Sequence, residues 1–193
     1  KGDKPVYWCP DCNSALAEAE VEYKDKLSVS IDFLFGVDTS TVNKIFNTSV
    51  RDDTKTSFLS WTTTPWTIPG NVALSVNSNL DYSLMEVHID NKKQCLIISK
   101  ELVESVMERC SITDFSTLST VLGSNLESIE ARHPYFNRKS TVILGDHVTI
   151  EMGTGVVHTA PAHGLEDFHA SNKYKLEILN YVGPDGIFTD DAK

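Results

Sequence analysis

The run Trp61-Thr62-Thr63-Thr64-Pro65-Trp66-Thr67-Ile68-Pro69-Gly70-Asn71 constrains this chain more than any other stretch. Three β-branched residues in a row favour extended backbone. Pro65 has no N–H to give to a ladder, so pairing must stop or step to an edge there. Pro69, Gly70 and Asn71 then supply a turn. The segment predicts a strand whose end carries hydroxyls, ready to hydrogen-bond something polar. Taken alone, it also describes a threonine-rich edge strand with an indole stacked on it.

A second segment bears on that choice. Residues 153–168 read as a Gly turn, a short apolar strand through Val156, Val157 and His158, a Pro/Gly loop at Pro161 to Gly164, and a helix start. The junction gathers His158, His163, Glu166 and Asp167. Together the two segments resemble the editing domains of class I aminoacyl-tRNA synthetases for branched aliphatic amino acids, and most of all the isoleucyl enzymes. The pattern is Trp-Thr-Thr-Thr-Pro-Trp-Thr, followed by Gly-Thr-Gly, His-Thr-Ala-Pro, His-Gly and Asp. Lys4-Pro5-Val6-Tyr7-Trp8-Cys9-Pro10, Ala15 to Tyr23 and Gly183-Pro184-Asp185-Gly186 also look like that family, so the resemblance runs from end to end.

The length of 193 residues is enough to bury one proper core. No run approaches the length of a membrane span, and the N-terminus carries no signal-peptide pattern. The chain opens without Met, and the expectation is one domain, residues 1–193, cut from a longer synthetase, with 1–22 as the connecting arm. A formal charge of −10 argues against a general nucleic-acid surface. Arg132, Arg138, Lys139, Lys173 and Lys175 are local basic residues, and a solvated face is the plainer account of them. The resemblance eases the tension, because an editing domain receives only the acceptor end while the rest of the enzyme holds the tRNA body. Cys9 and Cys12 form half of a four-thiolate zinc site. No second Cys-x-x-Cys lies in this chain; the resemblance implies that some members complete such a site with a pair further downstream, so Cys9 and Cys12 are a half-site here and zinc is left open for the full-length enzyme. Nothing suggests disulfides, which points to a reducing compartment: the cytoplasm, or an organellar matrix.

Hydrophobic alternation predicts strands over Val29 to Phe35, Ser57 to Thr64, Phe115 to Leu122, Thr141 to Leu144, His147 to Ile150 and Val156 to Thr159. Tyr82 to Ile89 and Gln94 to Ile98 read as a hairpin about Asp90 to Lys93. Helices are expected at Lys100 to Arg109, capped by Ser99, and from about Leu165 to Lys175. Asp38 to Thr56 reads as a loop. Many short strands and few helices give an α+β, β-rich fold, with a β-barrel core and peripheral helices.

Hydrolysing an aminoacyl ester asks little of a site, since the ester is already activated. The site must hold the ammonium, admit the right side chain and place a water on the carbonyl carbon. From the residues alone, Asp167 is either an ammonium partner or a helix-start charge. His158 is either pocket wall or packed core, and His163 either meets nucleic acid or caps its loop. The grouping of His163, Glu166, Asp167 and His169 fits no standard metal spacing. No Gly-x-Ser-x-Gly elbow is present.

The resemblance implies more. Asp167 falls on the family's ammonium-binding aspartate, and His158 on the histidine that shapes the pocket. Thr62, Thr63 and Thr64 border the pocket with catalytic roles, while Trp66 and Asn71 help build it. It implies a positioned water, no cofactor for the hydrolysis, and ATP only for the parent enzyme. The partners implied are the 3′ acceptor end of an isoleucine tRNA carrying valine and the rest of the synthetase, with no membrane. Editing domains of valyl and leucyl enzymes generally read Thr-Thr-Arg-Pro where this chain has Thr63-Thr64-Pro65 preceded by another Thr, which favours the isoleucyl type. One methylene gives only about 1–3 kcal/mol of discrimination, an established bound for isoleucine against valine rather than a value worked from this chain. A second sieve that takes valine and rejects isoleucine is the implied design. Editing of another branched amino acid, and a non-catalytic module for the acceptor end, are the alternatives.

Overall fold

The computed structural model describes residues 4–90 and 92–192. Strands β1 (Tyr7–Cys9) and β2 (Ser14–Leu16) form a small antiparallel hairpin. It lies within the expected arm, of which residues 1–3 are outside the description. The Trp8 indole N–H donates to Pro184 O at 2.7 Å, which ties the hairpin to a turn far along the chain.

The body is a nine-stranded sheet. Its strands are β3 (Ile31–Val37), β4 (Lys55–Thr62), β5 (Ala73–Val76), β6 (Asp81–Ile89), β7 (Lys92–Ser99), β8 (Phe115–Leu122), β9 (Glu130–Arg132), β10 (Lys139–Leu144) and β11 (Val157–Thr159). The order across the sheet is β11-β5-β10-β9-β3-β4-β7-β6-β8. Among the described residues only β10–β5 and β4–β7 pair in parallel. The β6–β7 hairpin matches the sequence reading, although Asn91 of its turn lies outside the described residues.

Alternation sets the two faces. Phe33, Phe35, Phe58, Leu74 and Val142 pack into one core on the inner face. Leu59, Met85, Leu96 and Ile98 point the other way, where helix α2 (Val103–Arg109) covers them with Val103, Val106 and Met107. Each such side chain removed from water contributes about 1.5–3 kcal/mol. The sheet curls on itself, so that the segment leading into β11 crosses β4 and the end of β7. Ser60 Oγ donates to Val156 O at 2.8 Å, and Ser99 N donates to Thr154 O at 2.9 Å. The expected barrel is therefore an open one, closed by single bonds rather than by a ladder.

Three local expectations differ. The stretch taken as a loop holds helix α1 (Thr39–Phe46), started by Asp38, whose carboxylate accepts from Thr41 N at 2.9 Å. Ser99 does not cap the next helix: its Oγ donates to Glu101, and one 3₁₀ turn over Lys100–Leu102 precedes α2. Residues 147–150 form a turn and bend, because Asp146 and the preceding Gly145 end the ladder after β10. Helix α3 (Leu165–Tyr174) forms as expected.

Candidate functional site

Strand β4 stops at Thr62, short of the expected Thr64. Thr62 Oγ1 accepts from Thr64 N at 3.0 Å, so the hydroxyl takes over where the ladder gives out. The chain then enters a 3₁₀ turn over Pro65–Gly70, with Pro65 at its first position, where a missing N–H costs nothing. Thr62 is buried, while Thr63 and Thr64 are exposed at the rim. Thr62 and Thr64 hydroxyls sit 3.2 Å apart.

Strand β11 faces this turn. His158 is buried, and its Nε2 lies 2.8 Å from Thr67 Oγ1. Asn71 Nδ2 approaches its Nδ1 at 3.4 Å and has only N–H groups to offer, so Nδ1 accepts and the ring proton sits on Nε2. Thr67 Oγ1 in turn donates to Thr64 O at 2.9 Å. Burial, with His133 and His163 nearby, pulls His158 down to about 4. The imidazole is neutral at physiological pH and is fully engaged in holding β11 against the threonine turn.

The loop after β11 turns on His163 N to Ala160 O, 2.9 Å. Asp167, in the first turn of α3, reaches back over Gly164, and its Oδ2 accepts from Ala160 N at 2.9 Å. A Cβ on Gly164 would stand 3.2 Å from that oxygen. Burial pushes the Asp167 carboxyl above its ordinary value, opposed by the Ala160 N–H and by His147.

These pieces wall one cleft of about 310 Å³. Thr62, Thr63, Thr64, His158 and Asp167 all line it, together with the Gly153-Thr154-Gly155 loop. Asn71 does not. It is fully buried behind the wall, donating to Ala73 O and accepting from Ser140 Oγ. Trp66 also stands outside the cleft, half-exposed, with its ring edge-on to His163 at 5.0 Å. His163 borders both that indole and the cleft.

The sequence reading did not single out Thr67, His147 or Arg109. Thr67 sat inside the quoted motif, and its place behind His158 needs the fold to be seen. His147 lines the cleft, and its Nε2 is shielded from water with no hydrogen-bond partner. Arg109 grips Asp32 with two bonds, 3.0 and 2.7 Å, and donates to Gly153 O at 3.3 Å, which pins the glycine loop. No sequence spacing announces that clamp.

Of the basic residues, Arg138 is structural. Its guanidinium lies over Phe136 and Tyr181 and donates to Pro69 O and Asn71 O. Lys139 pairs with Glu130. Among the described residues no cluster of His, Cys, Asp and Glu is arranged to hold a metal. Cys9 and Cys12 sit together, with Cys12 N donating to Cys9 Sγ at 3.3 Å.

The family model for the leucyl-tRNA synthetase editing domain matches residues 46–192. The chain belongs to the family of synthetase editing domains. In sequence it is similar to the isoleucine–tRNA ligase of Shewanella halifaxensis, 48% identical over all of this chain and 20% of the relative. That of Yersinia pestis is 50% identical over 97% of the chain and 20% of the relative. The chain thus spans about a fifth of the length of these curated relatives. In fold it is similar to the editing domains of the cytosolic leucyl-tRNA synthetases of P. knowlesi and P. falciparum. The first gives a TM-score of 0.64 at 14% identity, covering 77% of this chain and 63% of that one. The second gives 0.58 at 14%, covering 77% and 68%. No helix among the described residues of this editing domain is long and apolar enough to cross a membrane.

Proposed function

We propose that this editing domain hydrolyses the ester of valine misattached to an isoleucine tRNA, as part of an isoleucine–tRNA ligase whose remaining domains hold the tRNA body and use ATP elsewhere. One observation carries the reading: the threonine strand end, His158 and the Asp167 carboxyl group converge on a single cleft.

Asp167 receives the substrate ammonium. One oxygen is held by Ala160 N, and the ammonium supplies the opposite charge to a carboxyl that burial otherwise disfavours. The hydroxyls of Thr62 and Thr64 orient the reacting end, with Thr63 at the rim. Water adds to the carbonyl carbon, the bond from that carbon to the ribose oxygen breaks, and the ribose oxygen leaves with a proton. The products are free valine and tRNA with its terminal hydroxyl restored. The free vicinal hydroxyl of the terminal ribose assists, and no cofactor is required because the ester is already activated. His158 is not the base, since both ring nitrogens are engaged, Nε2 with Thr67 and Nδ1 with Asn71, and burial makes the ring a weak proton acceptor. It is wall, and it sets the size limit.

Deacylation of valyl-tRNA against isoleucyl-tRNA tests this. The wild-type domain, or the whole ligase carrying it, is expected to clear the first and spare the second. His158→Ala is expected to raise clearance of isoleucyl-tRNA by about 5- to 150-fold, the range of one methylene's exclusion. Wild-type protein that binds both and hydrolyses neither would leave only an acceptor-end binding module. Equal clearance of both would move the size filter away from this cleft.

A further inference from the structure

A second cleft, of about 620 Å³, lies on the other side of the Trp66–His163 contact. His163 lines both, so the two are neighbours across one side chain. The β1–β2 hairpin forms one wall with Tyr7 and Trp8, and the 182–186 turn forms the other. Three aromatic rings are open here: Tyr7 is 49%, Trp8 43% and Trp66 48% exposed. The Trp8 N–H is spent on Pro184 O, which fixes the indole and leaves its face to be covered. The lining is also unusual in charge. The chain carries a net −10, yet no Asp or Glu lines this groove among the described residues, and Lys4 does. The neighbouring Asp185 is turned into its own loop, where Oδ1 accepts from Ile187 N at 3.1 Å.

Open aromatic faces in a groove free of carboxylates suit a single-stranded polynucleotide, whose bases stack and whose phosphates avoid acidic ground. We propose that the unpaired nucleotides preceding the terminal adenosine lie in this groove, stacked on Trp66 and Trp8, before the esterified end enters the hydrolytic cleft. This rests on the editing reading of that cleft and adds a path for the strand. It also bears on the charge problem of the sequence: stacking on open rings in a groove free of carboxylates among the described residues, rather than a broad basic patch, holds the strand.

The test uses the 193-residue chain and a fluorescent RNA hairpin with a single-stranded CCA tail, read by anisotropy. Trp8→Ala and Trp66→Ala are each expected to weaken binding by about 5- to 100-fold, the range of one base–aromatic stack, and Trp8→Phe to retain most of it. A blunt hairpin without the tail is expected to bind at least about tenfold more weakly, as loss of more than one stack requires. If Trp8→Ala does not fold, Val6→Glu, at an exposed wall position, is expected to weaken binding by placing a carboxylate in the groove. Tail binding unchanged in Trp66→Ala and Val6→Glu overturns the proposal, as does equal binding of the blunt hairpin. A dimer of this chain closed over the groove and undisturbed by RNA overturns it too. The two readings fail separately. Trp-dependent tail binding without hydrolysis removes the esterase and keeps the groove. Hydrolysis with Trp-independent binding does the reverse.

Discussion

Acid should unfold this domain through two buried histidines. His158 and His133 are both held down to about 4, against an ordinary 6.5. Burial is the main cause for each. His133 is also repelled by Arg138, although its bond to Ile68 O works the other way. In the unfolded chain both rings take a proton as pH drops through 6.5, while the folded chain resists until about 4. The unfolded state therefore binds more protons in that window, so stability is complete above about 6.5 and is lost as pH falls toward 4. Each ring contributes up to about 1.4 kcal/mol per pH unit. Integrated from pH 7 to pH 5, the pair removes about 4 kcal/mol, a large part of the roughly 5–15 kcal/mol typical of a whole domain. Asp167 acts with the opposite sign: its carboxyl is raised in the folded state, so protonating it favours the fold as pH falls. Urea titrations at stepped pH measure the loss directly. His158→Gln and His133→Gln are each expected to cut the pH slope by about half, as one of two such protons is removed. A stability that stays level within about 1 kcal/mol between pH 7 and 5 would refute the assignment of both rings as buried and neutral.

Asp167→Asn keeps an acceptor for Ala160 N but loses the charge. Its valyl-tRNA clearance in a deacylation assay is expected to fall by about 100- to 1000-fold, the scale of one lost electrostatic contact at a reacting group. Gly155→Ala is expected to destabilise by about 1–3 kcal/mol or more in urea, because Gly155 has φ +73° and a Cβ there would meet Ser99 Cβ at 2.4 Å. Arg109→Lys cannot hold Asp32 with two bonds and Gly153 O with a third. Faster hydrogen exchange confined to the 152–155 loop is the expected result. Cys9 is held below the usual thiol range by the Cys12 N–H and thiol, whereas burial pushes Cys95 up to about 11. Iodoacetamide should therefore label Cys9 well before Cys95. Elemental analysis after chelation should find the folded chain without stoichiometric zinc, since two thiolates leave half a site.

Much of the site was legible because its chemistry sits in two continuous runs. A β-branched triplet ending in Pro65 announces a strand end, and Gly164-Leu165-Glu166-Asp167 announces a helix start. Asn71 was less legible. An Asn beside a Gly in a turn looks available, and only the packing shows its amide spent on Ala73, Ser140 and His158. Helix α1 was missed for a different reason. Thr39 to Phe46 is polar and short, with weak propensity. Yet Asp38 as cap and the Thr39, Val42, Phe46 spacing were present, and those three are the residues it buries. His147 carried no signal, since a lone histidine after Gly-Asp has many uses. Arg109 and Asp32 are 77 residues apart, so their pairing belongs to the fold alone.

The bond between Thr67 and His158 spans 91 residues, and it has a consequence for how the domain comes into being. During synthesis the threonine turn emerges before β11 and α3, with Thr67 preceding His158 by 91 residues. Until β11 docks, β5 has an open edge and the turn has nothing to lean on. Contacts this distant along the chain close slowly, because loop entropy is lost before they repay it. The candidate cleft is thus among the last features of this domain to form, and a nascent chain ending before residue 157 has the threonine turn without the strand that packs against it.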